Sequence, residues 1–206
     1  MAEQAVYQLK EGGSIPTSPL QSLRVESCEL QDIRAFVETN HYSKTVKGVT
    51  VSACFRVLSD GQLKGAAIFG VPAGFGVLKK YSGNGKIRTV ELRRFVLAQE
   101  LPKNSESRVL GVMLRMIKKQ GIQRVLSYAD PAFGHQGTIY KATGFKLLGR
   151  TGASRKIVWN GKSYPRRNLL QIHRPFHKQL QKALADGDAV YERVAGKYIY
   201  IKDLGS

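Results

Sequence analysis

The sequence lacks any apolar run long enough to cross a bilayer and has only two cysteines, Cys28 and Cys54. A membrane-spanning helix needs about 20 consecutive apolar residues, so the sequence predicts none. Two cysteines without metal-like spacing make neither a disulfide scaffold nor a zinc site, and they favour a reducing, cytosolic compartment. The 206 residues are 42% hydrophobic, which is enough for one domain with a real core.

Acidic residues are also scarce. Asp and Glu number 15 against 33 Lys and Arg, which gives a net charge of +18. None of the acidic residues lies between Pro131 and Ala185. Positive side chains that neutralise phosphates release condensed counterions, so this imbalance is typical of a protein that binds nucleic acid. A merely solubilising surface is the weaker interpretation, because solubility is served by charges of mixed sign and better by acidic residues. An acidic membrane surface is also weaker, because the charge is not accompanied by an amphipathic helix with large apolar residues.

Apolar spacing and turn residues predict alternating helices and strands. A mobile arm is expected over residues 1–22, followed by a single domain over 23–206 with a basic extension from about 150 to 206. Residues 73–88 are rich in Gly and Lys and are expected to form a surface loop. The predicted elements are a helix (29–40), a β-hairpin (51–72), a strand (89–98), a helix (104–121), a strand (123–130), a short helix (137–145) and a strand from 146.

The strand–helix–strand segment over 89–128 should form a right-handed parallel unit inside an otherwise antiparallel sheet. The fold class is therefore α/β (α+β), with a mixed, mostly antiparallel sheet. This order, together with "IYKATGF", resembles the GCN5-related acetyltransferase fold, in which two central parallel strands splay apart and the cofactor inserts between them. The resemblance implies a splayed parallel strand pair in this chain as well.

A narrower resemblance covers most of the chain, from about residue 40 to 204. The segments "HYSKTV", "DGQLKGAAIFG", "ELRRFVL", "LPKNSESRVLGVMLR", "LSYADP", "GTIYKATGF" and "KYIYIKDL" together resemble the phage Mom-type DNA modification proteins. The resemblance implies an enzyme that converts the exocyclic amine of adenine to methylcarbamoyl-adenine with acetyl-CoA or a related acyl donor. It further implies protection of phage DNA from host restriction, in the cytoplasm of the bacterial host.

The resemblance also implies where the cofactor binds. Its pantetheine would lie along the first splayed strand, and its pyrophosphate at the start of the following helix, a usual anion site. Ser107 stands where the wider acetyltransferase family has a glycine, and "NSESR" is the Mom-like form of that loop. The expected cofactor-binding residues are Phe95, Val96, Leu97, Asn104, Ser105, Ser107, Arg108 and Tyr140.

Attack of an amine on a thioester needs a base, an oxyanion donor and an acid for the leaving thiolate. Asp130, at the end of a short apolar strand, is a candidate base whose pKa burial would raise; the alternative is a turn cap within "ADP". Tyr140 is the candidate acid by resemblance. The other candidate catalytic residues are His41, Tyr42, Ser127 and Glu91.

Each of these candidates has a structural alternative. His41 could be an ordinary surface-turn histidine, and Arg93 or Arg94 could simply neutralise Glu91. His135 is set aside as a loop residue. The pair His173 and His177 resembles half a metal site, but an intervening proline and the lack of nearby acidic residues favour a structural role. Whether a metal takes part is left open.

An adenine within a duplex is unreachable, so the expected partner is double-stranded DNA with a flipped adenine. No membrane partner is expected, and a homodimer is an open alternative. Aromatic candidates for stacking are Tyr42, Tyr81, Trp159 and Tyr164. Candidate phosphate-binding residues are Lys44, Lys47, Arg155, Lys156, Arg166 and Arg167.

Two rival functions remain. One is a conventional N-acetyltransferase acting on a small amine or a protein lysine, with basic charge that serves an acidic partner. The other is a non-catalytic nucleic-acid-binding protein of the same fold. Altered deoxyadenosine in DNA favours the enzyme, whereas tight acetyl-CoA binding without DNA modification favours the conventional acetyltransferase.

Overall fold

The computed structural model describes residues 6–8, 23–169 and 176–205. The arm expected over 1–22 therefore lies outside the described residues, except for a three-residue strand. In chain order the strands are β1 (Val6–Gln8), β2 (Leu23–Cys28), β3 (Val51–Ser59), β4 (Gln62–Gly70), β5 (Thr89–Leu97), β6 (Arg124–Ala129), β7 (Lys146–Arg150), β8 (Ser154–Trp159), β9 (Lys162–Pro165), β10 (Ala189–Val194) and β11 (Tyr198–Asp203).

Five α-helices accompany these strands in the described residues: α1 (Leu30–Asn40), α2 (Phe75–Tyr81), α3 (Ser105–Lys119), α4 (Thr138–Ala142) and α5 (His177–Ala185). The interpretation of residues 73–88 as a loop is wrong, because α2 occupies part of this segment. Its glycines lie at the ends and first turn, where Gly74 adopts a φ of 91° just before the helix. None of the helices in the described ranges combines the length and apolar character needed to span a membrane.

The contacts divide the chain into two compact units. The first comprises Met1–Ala129, Gly137–Leu148 and Ile199–Ser206, and the second comprises Asp130–Gln136 and Gly149–Tyr198. A single domain over 23–206 stays a prediction. The larger sheet has the order β1-β2-β3-β4-β5-β6-β11-β7, and the smaller sheet has the order β10-β8-β9.

In the first unit, α1 packs on one face of the large sheet. Ile33 and Val37 from the helix contact the buried Cys54, Ala66 and Ile68 of β3 and β4. Because strand side chains alternate between faces, Phe55 and Phe69 point the other way, where their rings pack in a T shape with centroids 5.7 Å apart. The amphipathic stripe of α3 contacts β2 and β3. The sheet is thus covered by helices, as its apolar strands require.

The parallel pair β5–β6 opens partway along its length. Thr89, Val90 and Glu91 pair with Arg124, Val125 and Leu126. Beyond that point both strands continue, β5 as far as Leu97. Across the same stretch β5 remains paired with β4 on its other edge, up to Leu97. Beyond the last parallel pair, the edge of β5 that faces away from β4 pairs with no strand in the described part of the chain.

The second unit contains the smaller sheet and α5. Ile157 and Ala189 from the sheet form a buried cluster with Leu180 and Ala183 from the helix. After residue 150 the chain adds one strand, β11, to the large sheet. Strands β8, β9 and β10 instead pair with one another.

Candidate active site

Ser127 and Tyr140 meet where β5 and β6 separate. Ser127 is the first residue of β6 beyond the last paired residue, and it is fully buried. Its Oγ lies 3.5 Å from the carbonyl oxygen of Leu92 on β5. The Ser127 hydroxyl also hydrogen-bonds the phenol of Tyr140. Two residues that the sequence singled out separately are therefore brought together in the first unit.

Tyr140 sits on α4, against a second tyrosine. Its ring centroid lies 5.2 Å from that of Tyr200 and 5.4 Å from that of Phe145. Gly137, which precedes α4 with a φ of 76°, leaves the space that the Tyr200 ring fills, because a Cβ there would overlap the ring. Burial raises the pKa of Tyr140 to about 12. At neutral pH the phenol is therefore protonated and able to donate a proton.

A β-bulge places Arg93 beside Glu91. The β4–β5 register shifts between Ile68, paired with Arg94, and Phe69, paired with Leu92, so Arg93 is the extra residue. Bulges re-aim side chains and often lie next to active sites. The Arg93 guanidinium donates to both oxygens of Glu91, at 3.1 and 3.2 Å. Of the two arginines that could neutralise Glu91, Arg93 makes the ion pair.

The Glu91 carboxylate is also tied to the loop before α2. Its Oε2 accepts the main-chain N–H of Ala73 at 2.8 Å, and the residue is only 6% exposed. Arg94 instead donates to the carbonyl oxygens of Thr45 and Arg93, and burial lowers its pKa. A carboxylate held by an arginine and a main-chain amide serves structure well, and it must release one of these partners before it can act as a base.

His41 and Tyr42 follow α1 as predicted, and their rings stack with centroids 4.2 Å apart. His41 is buried, whereas Tyr42 is 41% exposed. The Nδ1 atom of His41 accepts the main-chain N–H of Ser43 at 3.1 Å. In the neutral ring the proton therefore lies on Nε2. This tautomer makes the Nε2 edge of His41 a hydrogen-bond donor.

Asp130 belongs to the second unit and directly follows β6 in the chain. Its Oδ1 accepts the N–H of Ala132 at 3.1 Å and caps a short 3-10 turn, Pro131–Phe133. Its Oδ2 lies 2.8 Å from Nζ of Lys197, and the carboxylate is only 6% exposed. The structure thus places Asp130 as a turn cap and ion-pair partner, and its role as a base stays a prediction.

The predicted cofactor residues fall into two groups. Phe95, Val96 and Leu97 lie on the open stretch of β5. At the start of α3, Ser105 points its hydroxyl 2.6 Å from the Pro102 carbonyl oxygen and donates its N–H to the same atom.

The other residues at the N-terminus of α3 satisfy only some of the main-chain hydrogen-bonding groups there. Asn104 precedes the helix with a left-handed φ of 70° and accepts from the Ser107 hydroxyl and the Arg108 N–H. The Glu106 and Ser107 amides are first-turn donors without an acceptor within the described ranges. Glu106 also places a carboxylate in this turn, which disfavours an anion there and which the exposed Arg108 can offset.

The predicted phosphate-binding residues are spread over both units. Lys44 donates to the Thr39 carbonyl oxygen, and Lys47 is exposed. In the second unit, Lys156 pairs with Glu192 at 2.9 Å. Arg155 and Arg166 are exposed and line one cavity. The side chain of Arg167 lies outside the described residues.

The metal question is not decided by the structure. Across the described ranges, no group of three or more His, Cys, Asp or Glu side chains is arranged to hold a metal ion. His173 falls outside those ranges. His177 is buried at the start of α5, with Nδ1 3.4 Å from the carbonyl oxygen of Asn168, which supports the structural interpretation of this histidine.

Several neighbours of the site were not identified from the sequence. Tyr200 packs against Tyr140, and Lys197 pairs with Asp130; both lie in "KYIYIKDL", a segment identified only by resemblance. The alternation of tyrosines at 198 and 200 indicates a strand with one aromatic face, a signal that could have pointed to Tyr200. The partner of Asp130 has no such local signal.

The chain matches one protein family over most of its length. Residues 22–204 match the model of the Mom protein family. The "Methylcarbamoylase mom" of Escherichia phage Mu is 28% identical over 137 residues, which cover 63% of this chain and 54% of that protein. The match thus spans about half the length of the curated relative.

Solved acetyltransferases share the fold. A putative acetyltransferase from Salmonella typhimurium, solved with its cofactor acetyl-CoA, has a TM-score of 0.52 at 12% identity over 90% of this chain and 95% of that chain. An N-acetyltransferase from Staphylococcus aureus has a TM-score of 0.50 at 13% identity over 88% and 98%. The predicted fold class, a mixed, mostly antiparallel sheet with a splayed parallel pair, is confirmed.

Proposed function

The chain belongs to the Mom protein family, and from this premise we propose that it is a phage DNA-modifying transferase acting on N6 of adenine. The acyl donor is acetyl-CoA or a related acyl-CoA, and the setting is the cytoplasm of the infected bacterial host. The observation that carries the proposal is the opening between β5 and β6, with Tyr140 held at it by Ser127.

The open edge of β5 fits an acyl-CoA. Over Phe95, Val96 and Leu97 the strand is paired with β4 on one side only. An unpaired strand edge offers alternating N–H and C=O groups to an extended ligand with amide groups, such as pantetheine. The amides of Glu106 and Ser107, with the Arg108 side chain, are the groups that would hold the pyrophosphate. An acyl-CoA would supply a thioester carbon at the opening.

The proposed role of this chain's residues is to donate and accept protons during the transfer. When the adenine amine forms its bond to the thioester carbon, the carbon–sulfur bond breaks and the thiolate needs a proton. Tyr140 is protonated at neutral pH and is the proposed donor. The amine must also lose a proton, and Asp130, Glu91 and His41 are the predicted acceptors. Each of these three already accepts a hydrogen bond.

The proposed product is methylcarbamoyl-adenine, and it is supported by the name of the phage Mu relative, which describes a methylcarbamoylase. Transfer of an acetyl group alone would give acetyl-adenine. Methylcarbamoyl-adenine would need a further reactant, a nitrogen donor at the oxidation level of hydroxylamine, to insert NH between the methyl and carbonyl carbons with loss of water. The mass of the modified nucleoside distinguishes the two products. The proposed role of the modification is to protect phage DNA from host restriction enzymes.

The proposed substrate is double-stranded DNA from which the adenine is flipped, because N6 is paired inside a duplex. Tyr42, with 41% of its surface exposed beside His41, is the proposed stacking residue. The net charge of +18 supports a polyanionic partner. Lys44 and Lys47 follow Tyr42 closely in the chain and are the proposed phosphate contacts in the first unit.

The test is mass spectrometry of nucleosides from DNA of cells that express the chain. We expect a modified deoxyadenosine with the wild type and its loss, by about 100-fold, with Tyr140→Phe, since general acid catalysis contributes roughly this factor. Tyr128→Phe is the matched control. It lies next to Ser127 on β6, on the opposite face of the strand, and its pKa is likewise raised by burial to about 12.

Other outcomes favour the rival functions. Unmodified DNA together with tight acetyl-CoA binding would support a conventional N-acetyltransferase acting on a small amine or a protein lysine. Unmodified DNA without acetyl-CoA binding would support a non-catalytic nucleic-acid-binding protein. Equal modification by Tyr140→Phe and the wild type would remove Tyr140 from the mechanism.

A further inference from the structure

The second unit contains a cavity of about 510 Å³ whose charged lining is all of one sign. It lies on the small sheet. Its lining residues are Ala153, Ser154, Arg155, Arg166, Tyr191 and Arg193. A volume in this range suits a ligand or part of one, and the three guanidinium groups require a ligand of negative charge.

Strand pairing brings two of the three arginines into one row. Arg193 on β10 is directly opposite Arg155 on β8. On the other side of β8, Lys156 pairs with Pro165, and Arg166 follows Pro165 at the start of a 3-10 helix, in the lining of the same cavity. Neighbouring strands lie about 4.8 Å apart. Like charges directly opposite each other are destabilising, and an anion bound between them would remove that repulsion.

The reverse face of the same strands is built differently. The adjacent pair in the register, Glu192 and Lys156, forms a cross-strand ion pair at 2.9 Å. One face of β8 and β10 is thus internally neutralised at this level, while the other face carries an arginine pair. Within the described ranges, no carboxylate forms an ion pair with Arg155, Arg166 or Arg193.

Tyr191 adds an aromatic surface to the row. Alternation places it on the same face as Arg193, one row further along β10. The α5 helix packs on this face over Ile157, which is directly opposite Tyr191, and over Ala189. Tyr191 remains 47% exposed. An aromatic ring beside a basic groove is the usual arrangement for binding an unpaired nucleic-acid strand, because a base can stack on the ring while its phosphates contact the cations.

We propose that this cavity binds the phosphodiester backbone of DNA, with Arg155, Arg166 and Arg193 on the phosphates and an adjacent unpaired base stacked on Tyr191. Arginine suits the task because its planar guanidinium donates two parallel hydrogen bonds to a phosphate. The choice of DNA as the source of the phosphates rests on the proposed function. Arg193 and Tyr191 therefore bind DNA in this proposal, whereas Lys156 does not.

The test compares full-length variants by fluorescence anisotropy with a labelled single-stranded oligonucleotide and with a duplex, at about 0.15 M salt, where separated surface charges are screened beyond about 8 Å. We expect Arg155→Ala and Arg193→Ala each to weaken binding of the single strand about tenfold. Tyr191→Ala should weaken it by a similar factor, and Tyr191→Phe should retain it.

Lys156→Ala is the matched control, because it removes the same unit charge from the neighbouring position on the reverse face. It should change the affinity by no more than about twofold. The arginine variants should unfold at the same temperature as the wild type or higher, because each removes a like-charge contact. A loss of binding in a variant that also melts early would reflect misfolding, and Arg193→Gln would then replace Arg193→Ala in the same assay.

Three results would overturn the proposal. An equal loss of oligonucleotide affinity in Lys156→Ala and in the arginine variants would show that net charge alone, and not this cavity, determines binding. A loss of inorganic pyrophosphate binding without any loss of oligonucleotide binding would assign the cavity to a small anion. A loss of binding to anionic lipid vesicles alone would assign it to a membrane surface. Nucleoside analysis of the same variants separates this inference from the proposed function: a wild type that leaves DNA unmodified yet binds through these arginines refutes the function and supports the inference.

Discussion

At the scale of single residues, the candidate acid is neutral and protonated, whereas the two candidate carboxylate bases are already in ion pairs. Tyr140 carries its proton well above neutral pH. The Asp130 carboxylate is paired with Lys197, and that of Glu91 with Arg93. A protonated phenol is ready to donate, whereas a carboxylate in an ion pair must lose a partner before it can take up a proton. In the proposed reaction, removal of the amine proton would therefore require rearrangement of an ion pair or a water molecule.

The raised pKa of Tyr140 has a consequence for stability at high pH. The value is about 12 in the folded chain against 10.0 for a free tyrosine. The neutral phenol favours the folded state, so this contribution is complete below pH 10 and is lost as the pH rises from 10 to 12. Over that window the free energy of unfolding should fall more steeply in the wild type than in Tyr140→Phe, by about 1.4 kcal/mol per pH unit.

Urea denaturation at several pH values measures this difference. The comparison between wild type and variant is needed because burial also raises the pKa of Tyr128 to about 12. Subtracting the variant's free energy of unfolding from that of the wild type cancels the contribution of Tyr128 and of other groups that both proteins share. Parallel stability curves for the two proteins across the window would mean that Tyr140 titrates normally and is not held as a buried acid.

The sequence located candidate residues better than it identified their partners. Asp130 and Glu91 were identifiable from strand patterns and local chemistry. The Lys197 that neutralises Asp130 lies on a distant segment, and tertiary packing alone brings the two together. Arg93 was recognised beside Glu91 because the two are neighbours on one strand. Contacts between residues close in the chain can be predicted from a sequence, whereas contacts between distant segments cannot.

At the scale of elements, the functional geometry comes from two irregularities in β5. One is the bulge at Arg93, and the other is the separation from β6 that begins after Glu91. The strand itself was predictable from its apolar pattern. The bulge was not, because it depends on the register with β4 and has no signature in residue type. Helix α2 was missed for the opposite reason, because its flanking glycines predicted a loop.

The Glu91–Arg93 pair should stabilise this irregular stretch only as a pair. The side chains are 8% and 15% exposed. Arg93→Ala should lower the free energy of unfolding by about 3 kcal/mol, since it leaves a buried carboxylate without its cation. Adding Glu91→Gln to that variant should recover a large part of the loss, because the neutral amide has a smaller desolvation cost.

A double-mutant cycle in urea gives the coupling energy between the two residues. Arg56→Ala is a control, because its ion pair with Glu26 also bridges β-strand residues but Arg56 is 35% exposed; a loss of about 1 kcal/mol or less is expected there. Additive effects of the Glu91 and Arg93 substitutions would show that the bulge is held by main-chain pairing alone.

At the scale of the whole molecule, the positive charge is the feature that supports the proposed DNA partner. The positive excess of 33 over 15 was readable from composition, and so was the span of the chain without acidic residues. The separate sheet of β8, β9 and β10, which carries Arg155, Lys156, Lys162 and Arg193, was not. Basic strands have little apolar alternation to reveal their pairing, so composition predicted the partner while the structure was needed to find the surface.

The proposed DNA partner makes a prediction about salt. A chain that contacts phosphates with several lysines and arginines releases a counterion for each, so the logarithm of its affinity falls linearly with the logarithm of salt concentration. Between about 50 and 200 mM salt, affinity for a duplex should fall about 1,000-fold, as expected for roughly six phosphate contacts. Arg193→Ala should reduce the slope by about one, whereas Lys156→Ala should leave it unchanged, because Lys156 is already neutralised by Glu192. Acetyl-CoA binding, measured by calorimetry over the same salt range, is the internal control and should weaken far less. A duplex affinity that falls less than about tenfold would contradict backbone recognition by this surface and leave the charge of +18 without its proposed role.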